Sequence, residues 1–189
     1  MENNYEVAVI GSGLSGLSIA YILAKNGYKV AVFEKNAQFG GCLQSFKRSG
    51  VTFETGMHYV GSIEQGQILH KYFNYLSILN DIELSSLDKS CYDIIDFKGE
   101  RYCYANGHEN FIETLAKKFP NNVNDIKNYV KAIHNVTENS PYYSFKGFDT
   151  LNILDPEHIK TSINEYISKI TSNETLQNVL TGNIWKCYS

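Results

Sequence analysis

A glycine-rich loop near the start of the chain has the residue types and spacing needed to hold a pyrophosphate. Gly11, Gly13 and Gly16 form a G-x-G-x-x-G pattern. In such a loop the first glycine permits a tight turn, the second lets the backbone approach the phosphates, and the third lets a helix pack on a strand. The helix N-terminus adds unpaired N–H groups and a partial positive charge. The pattern therefore predicts a dinucleotide site.

An acidic residue lies where the ribose of such a dinucleotide is expected. Glu34 follows Gly13 by about 20 residues, at the end of a second apolar run. A carboxylate there accepts hydrogen bonds from both ribose hydroxyls and repels a 2′-phosphate. This argues against NADP, whereas the loop alone does not choose between FAD and NAD. A second glycine pair, Gly40-Gly41, suits a backbone segment that crosses close to a dinucleotide.

The elements that must position these groups surround them in the sequence. Residues 5–10 (YEVAVI) and 29–34 (KVAVFE) have the composition of short strands, and residues 14–25 carry apolar side chains at helical spacing. Asn26-Gly27 is a helix C-terminal signal, because glycine readily takes a positive φ. The sequence therefore predicts a β-α-β unit with two parallel strands.

Further along, the pattern predicts two small hairpins and then mostly helix. The hairpins pair residues 44–47 with 51–54 around Ser49-Gly50, and residues 91–97 with 101–105 around residues 98–100. The predicted helices are residues 62–79, a helix from His108 to Pro120, residues 124–136, a helix from Asp155-Pro156 through Ile170, and a last helix from Thr171. Ser62 with Gln65, and Thr171 with Glu174, are the predicted capping boxes.

Composition excludes several classes of protein. The chain has 189 residues, 43% apolar and 20% charged, with a net charge of −3, which is unlike a disordered chain. Its arginines are Arg48 and Arg101 alone, so nucleic acid is not an expected partner. We find neither a signal-peptide pattern nor a stretch of about 18 apolar residues, and we expect a cytoplasmic protein.

The cysteines give no sign of a metal centre or a disulfide framework. They form no C-x-x-C pair and have no histidine at metal-ligand spacing, so we expect no metal site and reduced thiols. The cysteines are Cys42, Cys91, Cys103 and Cys187.

Residues 5–61 resemble the N-terminal flavin-binding region of the phytoene dehydrogenase, carotenoid isomerase and retinol saturase superfamily. The matching stretches are VAVIGSGLSGLSIAYILAKNGYKVAVFEKN, FGGCLQSF and GVTFETGMHYVG, in that order and spacing. The motif after the acid usually reads Gly-Gly-Arg or Gly-Gly-x. Cys42 stands in place of the arginine, which resembles the retinol saturase and carotenoid isomerase side and implies that an arginine contact to cofactor phosphate is missing.

The resemblance implies an α/β fold of the Rossmann-like FAD/NAD(P)-binding type, followed by a mostly helical part of a substrate domain. Residues 1–61 would be the N-terminal part of a discontinuous FAD-binding domain, and residues 62–189 part of an α+β substrate domain. The second resemblance is fainter and rests on RYCYANGHENFIETLAKKFP. Members of the superfamily are much longer, so we interpret the chain as an N-terminal fragment whose Rossmann-like fold is incomplete.

The resemblance also implies which residues contact an extended FAD. The glycine loop would take the pyrophosphate, Glu34 the ribose, and residues 55–58 would approach the isoalloxazine side. His58 is the candidate catalytic residue, with a packing histidine as the alternative. The full set of expected cofactor-binding residues is Gly11, Ser12, Gly13, Leu14, Ser15, Gly16, Glu34, Lys35, Gly40, Gly41, Cys42, Thr55, Gly56, Met57 and His58.

The expected activity is that of an FAD-dependent oxidoreductase that transfers hydride to or from an apolar polyene or isoprenoid substrate. A catalytically silent module that binds only the ADP moiety is the alternative, and a compact NAD dehydrogenase is a third. Peripheral membrane contact and self-association through an uncovered sheet are the further partner expectations, since a dinucleotide-binding sheet needs more than two strands with both faces covered.

Overall fold

A computed structural model of the chain describes residues 4–57, 59–140, 143 and 160–182. The chain divides into two compact units, Met1–Glu83 and Leu84–Ser189. The first unit contains the glycine loop and Glu34, and the second contains most of the described helices. The domain boundary that the sequence predicts after residue 61 stays a prediction.

The first unit opens with the predicted β-α-β arrangement. Strand β1 (Val7–Ile10) leads into helix α1 (Leu14–Lys25), which is followed by strand β2 (Val30–Phe33). The two strands are parallel, with Val7 opposite Val30 and Ile10 opposite Phe33. Because side chains alternate along a strand, the valines of both strands share one face, and Val9 on that face lies beside Gly16 of α1.

The other face of this sheet is apolar and open to solvent. It carries the alternate side chains, among which Ile10 is 91% exposed and Phe33 is 58% exposed. Within the described residues the sheet has these two strands, so each strand also has a free edge. The predicted uncovered sheet is therefore present, and self-association through it stays a prediction.

The two predicted hairpins are confirmed. Strands β3 (Ser45–Arg48) and β4 (Val51–Glu54) pair in the first unit, and β5 (Asp93–Phe97) and β6 (Glu100–Tyr104) pair in the second. Each hairpin turns through two residues with positive φ, which gives the chain a twist that matches the twist of the strands. These residues and their φ angles are Ser49 at 50°, Gly50 at 80°, Lys98 at 55° and Gly99 at 81°.

Helix α2 (Ile68–Tyr75) is shorter than the sequence predicts. Ser62 does not cap it, because its φ of 56° differs from the extended backbone of a helix N-cap. Residues 64–67 instead form a turn, in which the Gln67 N–H donates to the carbonyl of Glu64 at 2.9 Å. The predicted capping box of Ser62 and Gln65 is therefore wrong.

Among the described residues of the second unit, the β5–β6 hairpin packs with four helices. They are α3 (His108–Lys118), α4 (Val123–Asn139), α5 (Ile163–Ile170) and α6 (Glu174–Thr181). Helix α3 ends before Pro120, as predicted, and Pro120 begins a short 3₁₀ turn. The sequence predicts that the helix ending at Ile170 starts at Asp155-Pro156, and this start lies outside the described residues. In the structure, Ser162 caps α5 in a capping box with Glu165. No helix among the described residues is long and apolar enough to cross a membrane.

The start of α6 differs from the prediction by two residues. The side chain of Asn173, not of Thr171, accepts the hydrogen bond from the Leu176 N–H, at 3.1 Å. The Thr171 hydroxyl accepts from the Asn173 N–H instead, at 3.2 Å. Thr171 is 3% exposed, so its hydroxyl is satisfied inside the unit while the asparagine caps the helix.

A continuous hydrophobic core holds the second unit together. The inner face of the hairpin meets apolar side chains of all four helices there. The buried members of this core are Tyr102, Tyr104, Leu115, Phe119, Ile126, Ile167, Leu176, Val179 and Leu180. Two tyrosine hydroxyls also donate to the last turn of α6, Tyr104 to the carbonyl of Val179 and Tyr129 to that of Leu180. Burial raises the pKa of Tyr129 to about 12.

The expectation of reduced thiols is wrong for two of the cysteines. Cys91 and Cys103 form a disulfide, with their Cα atoms 5.0 Å apart. The β5–β6 register places Cys103 beside Ile94, and the bend at Tyr92 brings Cys91 alongside. This proximity depends on the hairpin register, so the cysteine spacing in the sequence does not reveal it. Cys42 is free and exposed.

Ile126→Ala should destabilise the second unit by about 2–5 kcal/mol, because it removes a fully buried side chain from a core that cannot collapse completely. Ile126 is 0% exposed, whereas Ile133 on the same helix is 42% exposed. Ile133→Ala is therefore the matched control and should cost less than about 1 kcal/mol. Urea unfolding followed by far-UV circular dichroism measures both, and equal losses would contradict this description of the core.

Candidate dinucleotide site

The glycine loop joins β1 to α1 in one tight turn. Gly11 has a φ of 96° and donates its N–H to the carbonyl of Phe33 on the neighbouring strand at 2.7 Å. Gly16, on the first turn of α1, packs against the backbone of Gly11, and a Cβ atom at Gly16 would overlap the Gly11 carbonyl oxygen. Helix and loop therefore approach each other more closely than any other residue type at position 16 would allow.

The N-terminal end of α1 has the properties that an anion requires. Gly13 is the N-cap, so the helix has no side chain capping its first N–H groups, and its first turn carries no acidic residue. An added Cβ at Gly11 or Gly13 would meet no atom within 4 Å, so the backbone here borders open space. Free donors, a positive helix end and room for close approach together fit a pyrophosphate.

Glu34 lies just after β2 and bonds back to the glycine loop. Its Oε2 accepts from the Ser12 N–H at 2.9 Å and from the Ser12 hydroxyl at 2.7 Å. Its Oε1 accepts from the Asn36 N–H at 2.9 Å. These hydrogen bonds, led by that of the Ser12 hydroxyl, lower the pKa of Glu34 to about 2. The carboxylate is therefore charged throughout the physiological range.

The Gly40-Gly41 pair crosses directly beside the loop. The Gly40 N–H donates to the carbonyl of Ser12 at 2.9 Å, and Gly13 and Gly40 form an isolated parallel bridge. Gly41 has a φ of 59°, and a Cβ there would lie 2.9 Å from the Cα of Gly13. The pair is thus required for two backbones to pack on each other, in addition to any role toward a ligand.

The segment at Thr55 and Gly56 is hydrogen-bonded to the segment that follows Gly41. The Thr55 hydroxyl lies 3.0 Å from the Cys42 carbonyl and 2.6 Å from the Gln44 carbonyl. Gly56 packs on the Cys42 carbonyl so closely that a Cβ would overlap it. His58, the candidate catalytic residue, lies outside the described residues.

The structure therefore joins most of the sequence-predicted site residues into one assembly. We call it the glycine assembly, and it consists of Gly11, Ser12, Gly13, Leu14, Ser15, Gly16, Glu34, Gly40, Gly41, Cys42, Thr55 and Gly56. Lys35 and Met57 adjoin it in sequence and have exposed side chains. Whether these residues bind a cofactor stays a prediction.

Sequence reasoning missed two contributions to this assembly. Ser12 was expected among the cofactor-binding residues but not as a partner of Glu34, to which it supplies two hydrogen bonds. Asn36 was not expected at all, and it acts through its backbone N–H. A backbone donor leaves no signature in residue type, and the Ser12 contact depends on how the loop meets the end of β2.

Comparison with known families supports the fold. The family described as NAD(P)-binding Rossmann-like domain matches residues 9–76. A solved triple mutant of putrescine oxidase, from a structure-based redesign of cofactor binding, aligns with 94% of this chain and 36% of its own, at a TM-score of 0.56 and 22% identity. The predicted Rossmann-like α/β fold class is therefore confirmed, and the chain has a dinucleotide-binding domain.

The sequence similarity to curated relatives extends well beyond the glycine loop. The human all-trans-retinol 13,14-reductase is 32% identical over 186 residues, which cover 93% of this chain and 29% of the human protein. The 4,4′-diapophytoene desaturase of Staphylococcus aureus (strain COL) is 45% identical over 51 residues, which cover 27% of this chain and 10% of the desaturase. The chain thus spans about three tenths of the length of the retinol reductase.

Gly16→Ala should destabilise the first unit by about 1–3 kcal/mol, because the new methyl group would overlap backbone that cannot move aside easily. Gly61→Ala is the matched control, since a Cβ at Gly61 meets nothing within 4 Å and its φ is not positive. The control should change the free energy of unfolding by less than about 0.5 kcal/mol. Hydrogen exchange at the β1 and β2 amides reports the loss locally. Similar exchange rates in both variants would show that the close contact at Gly16 is unimportant.

Glu34→Gln should reveal a stabilisation that depends on pH. The folded pKa of Glu34, about 2, lies below the ordinary value of 4.5. The wild-type advantage should therefore be fully present above pH 4.5 and disappear as the pH falls through about 2. Urea unfolding of both proteins between pH 7 and pH 2.5 gives this difference directly. A difference that grew on acidification would have the wrong sign for a carboxylate that is stabilised in its charged form.

Proposed function

Since the chain is a homologue of retinol reductases and phytoene-type desaturases in the FAD oxidoreductase superfamily, we propose that its glycine assembly binds FAD. The observation that carries the proposal is the direct hydrogen bonding of Glu34 to the loop that opens α1. A ribose acceptor and a pyrophosphate site are thereby fixed next to each other, in the order in which an adenine dinucleotide presents these groups.

Each part of the assembly has a distinct task in this proposal. The α1 N-terminus and the loop from Gly11 to Gly16 hold the pyrophosphate, and Glu34 accepts from the adenosine ribose. The Gly40-Gly41 crossing runs along the dinucleotide. Thr55, through its bonds to the carbonyls of the preceding segment, fixes the stretch that would lead toward the isoalloxazine ring.

Two features favour FAD over NAD: the extent of the glycine assembly and the relatives of the chain. The charged Glu34 disfavours a 2′-phosphate and so argues against NADP, but it does not distinguish FAD from NAD. The crossing of Gly40-Gly41 over Gly13 and the attached segment at Cys42 and Thr55 extend the site beyond a single glycine loop. The relatives whose sequences match this chain are named as retinol reductases and phytoene-type desaturases.

Bound FAD would supply hydride exchange with a substrate carbon. We infer that the protein acts by this chemistry on an apolar polyene or isoprenoid substrate, as the names of its relatives suggest. The residues of this chain would bind and orient the cofactor, and the protein would keep water from the reacting carbon. His58 is the candidate for a group beside the flavin.

A second candidate function is a module that binds only the ADP part of a dinucleotide. It is favoured by the observation that Glu34 and the α1 N-terminus, the best-defined parts of the glycine assembly, both address that half of the cofactor. In this case the chain would bind ADP and FAD with similar affinity and would not alter the flavin spectrum.

The purified 189-residue chain should take up FAD, and Gly13→Ala should weaken this uptake while leaving the fold intact. A Cβ at Gly13 meets no protein atom within 4 Å, so it would project into the space where the pyrophosphate must approach. We expect the affinity of the variant to fall by about 10-fold or more. The visible spectrum and equilibrium dialysis measure uptake, and far-UV circular dichroism checks the fold.

The outcomes separate the candidates. Retained FAD with a perturbed flavin spectrum supports the oxidoreductase proposal, and equal binding of ADP and FAD supports the ADP module. Binding of NADH in preference to FAD would favour a nicotinamide enzyme. A folded chain that binds none of these nucleotides would overturn the proposed function.

A further inference from the structure

The Ser12 side chain makes a contact that the glycine pattern itself does not require. Ser12 occupies a variable position of the G-x-G-x-x-G motif and is 2% exposed. Its hydroxyl donates to Glu34 Oε2 at 2.7 Å, and its backbone N–H donates to the same oxygen at 2.9 Å. A buried hydroxyl directed at the one acidic side chain of the site indicates a specific role for this serine.

The backbone of Ser12 is itself fixed, which makes the contact rigid. Its carbonyl accepts from the Gly40 N–H at 2.9 Å, so the loop cannot swing away from Glu34 without losing the crossing segment. The other carboxylate oxygen accepts from the Asn36 N–H at 2.9 Å. The carboxylate is thus held at both oxygens, and its outward acceptor sites point in fixed directions.

We propose that Ser12 is the positioning residue of the nucleotide site. Its hydroxyl keeps the Glu34 carboxylate charged and holds it in the orientation that accepts hydrogen bonds from the ribose. The inference rests on the proposed function, because Glu34 is the ribose acceptor only if a dinucleotide binds here. In this proposal Ser12 does not contact the ribose directly. It acts through Glu34, and this makes the proposal testable by the coupling of the two residues.

The electrostatics of Glu34 agree with this role. The Ser12 hydroxyl is the largest cause of the lowered pKa of Glu34, and the remaining hydrogen bonds come from the backbone of Ser12, Lys35 and Asn36. Ser12 and Asn36 are neutral, and the charged Lys35 is exposed and next in the chain. The stabilisation of the carboxylate therefore arises from hydrogen bonds and not from a partner charge.

The first test is a double-mutant cycle on ADP binding, measured by calorimetry on the full chain. Ser12→Ala should weaken binding by about 10-fold, the usual effect of losing one hydrogen bond to a charged group. Glu34→Ala should weaken it at least as much. If Ser12 acts through Glu34, the double variant should bind like Glu34→Ala alone. Ser18→Ala, in α1 and outside the glycine assembly, is the control and should bind like wild type.

The second test follows the Glu34 side-chain carboxyl by NMR in the protein without nucleotide. Ser12→Ala should raise the pKa of Glu34, and Ser18→Ala should leave it unchanged. The ratio of the Kd values of Ser12→Ala and wild type should grow as the pH falls through the pKa of the variant, and the ligand's own titration cancels in this ratio. A loss of packing alone would not produce this pH profile. Ser12→Cys, similar in size and a weaker donor, should give an intermediate shift and serves if the alanine variant does not fold.

The outcomes distinguish this inference from the proposed function. Wild-type protein that binds neither ADP nor FAD overturns both. Wild-type binding with additive effects of Ser12→Ala and Glu34→Ala, or an unchanged Glu34 pKa in the serine variants, overturns the positioning role and leaves the proposed function standing. Coupled effects together with a raised pKa support the role of Ser12.

Discussion

The candidate site depends on backbone packing directly against backbone. Gly16 lies on the carbonyl of Gly11, and Gly41 lies on the Cα of Gly13, with a similar contact at Gly56. Each contact leaves no space for a Cβ, so the glycines are fixed by the fold before any ligand is considered. This close packing brings the carbonyl of Ser12 within hydrogen-bond distance of the crossing segment and sets the loop beside the end of β2. The geometry of Glu34 follows from it.

Features governed by local sequence were predicted well. The β1–α1–β2 unit and both hairpins follow from apolar runs, from the glycine loop and from turn residues that accept positive φ, and the resemblance to a flavoprotein superfamily is confirmed by the matching relatives. The predicted helix start at Ser62 was wrong. The sequence has the capping pattern there, but the backbone of Ser62 has a positive φ and cannot form a helix N-cap. The cap of α6 was misplaced because Asn173 and Thr171 compete for the same role.

Contacts between distant residues could not be predicted in the same way. The bond from Ser12 to Glu34 joins residues 22 apart, and the bond between Cys91 and Cys103 requires the hairpin register. Burial differs as well between the two units. Every buried apolar side chain described, apart from Ala20, belongs to the second unit, although the first unit contains the clearest motif. Strong sequence signals therefore mark the places where backbone geometry is constrained, and they do not measure how much apolar surface is buried.

The disulfide has a consequence for the chemical integrity of the chain. Cys91 and Cys103 lie on opposite sides of the β5–β6 turn, whose tip residues Lys98 and Gly99 are exposed. A protease that cleaves after Lys98 would sever the polypeptide between the two half-cystines. The fragments would still be covalently joined and would migrate as one species until a reductant was added. Such a cut would therefore be invisible in non-reducing electrophoresis, and an apparently intact preparation could consist of two chains.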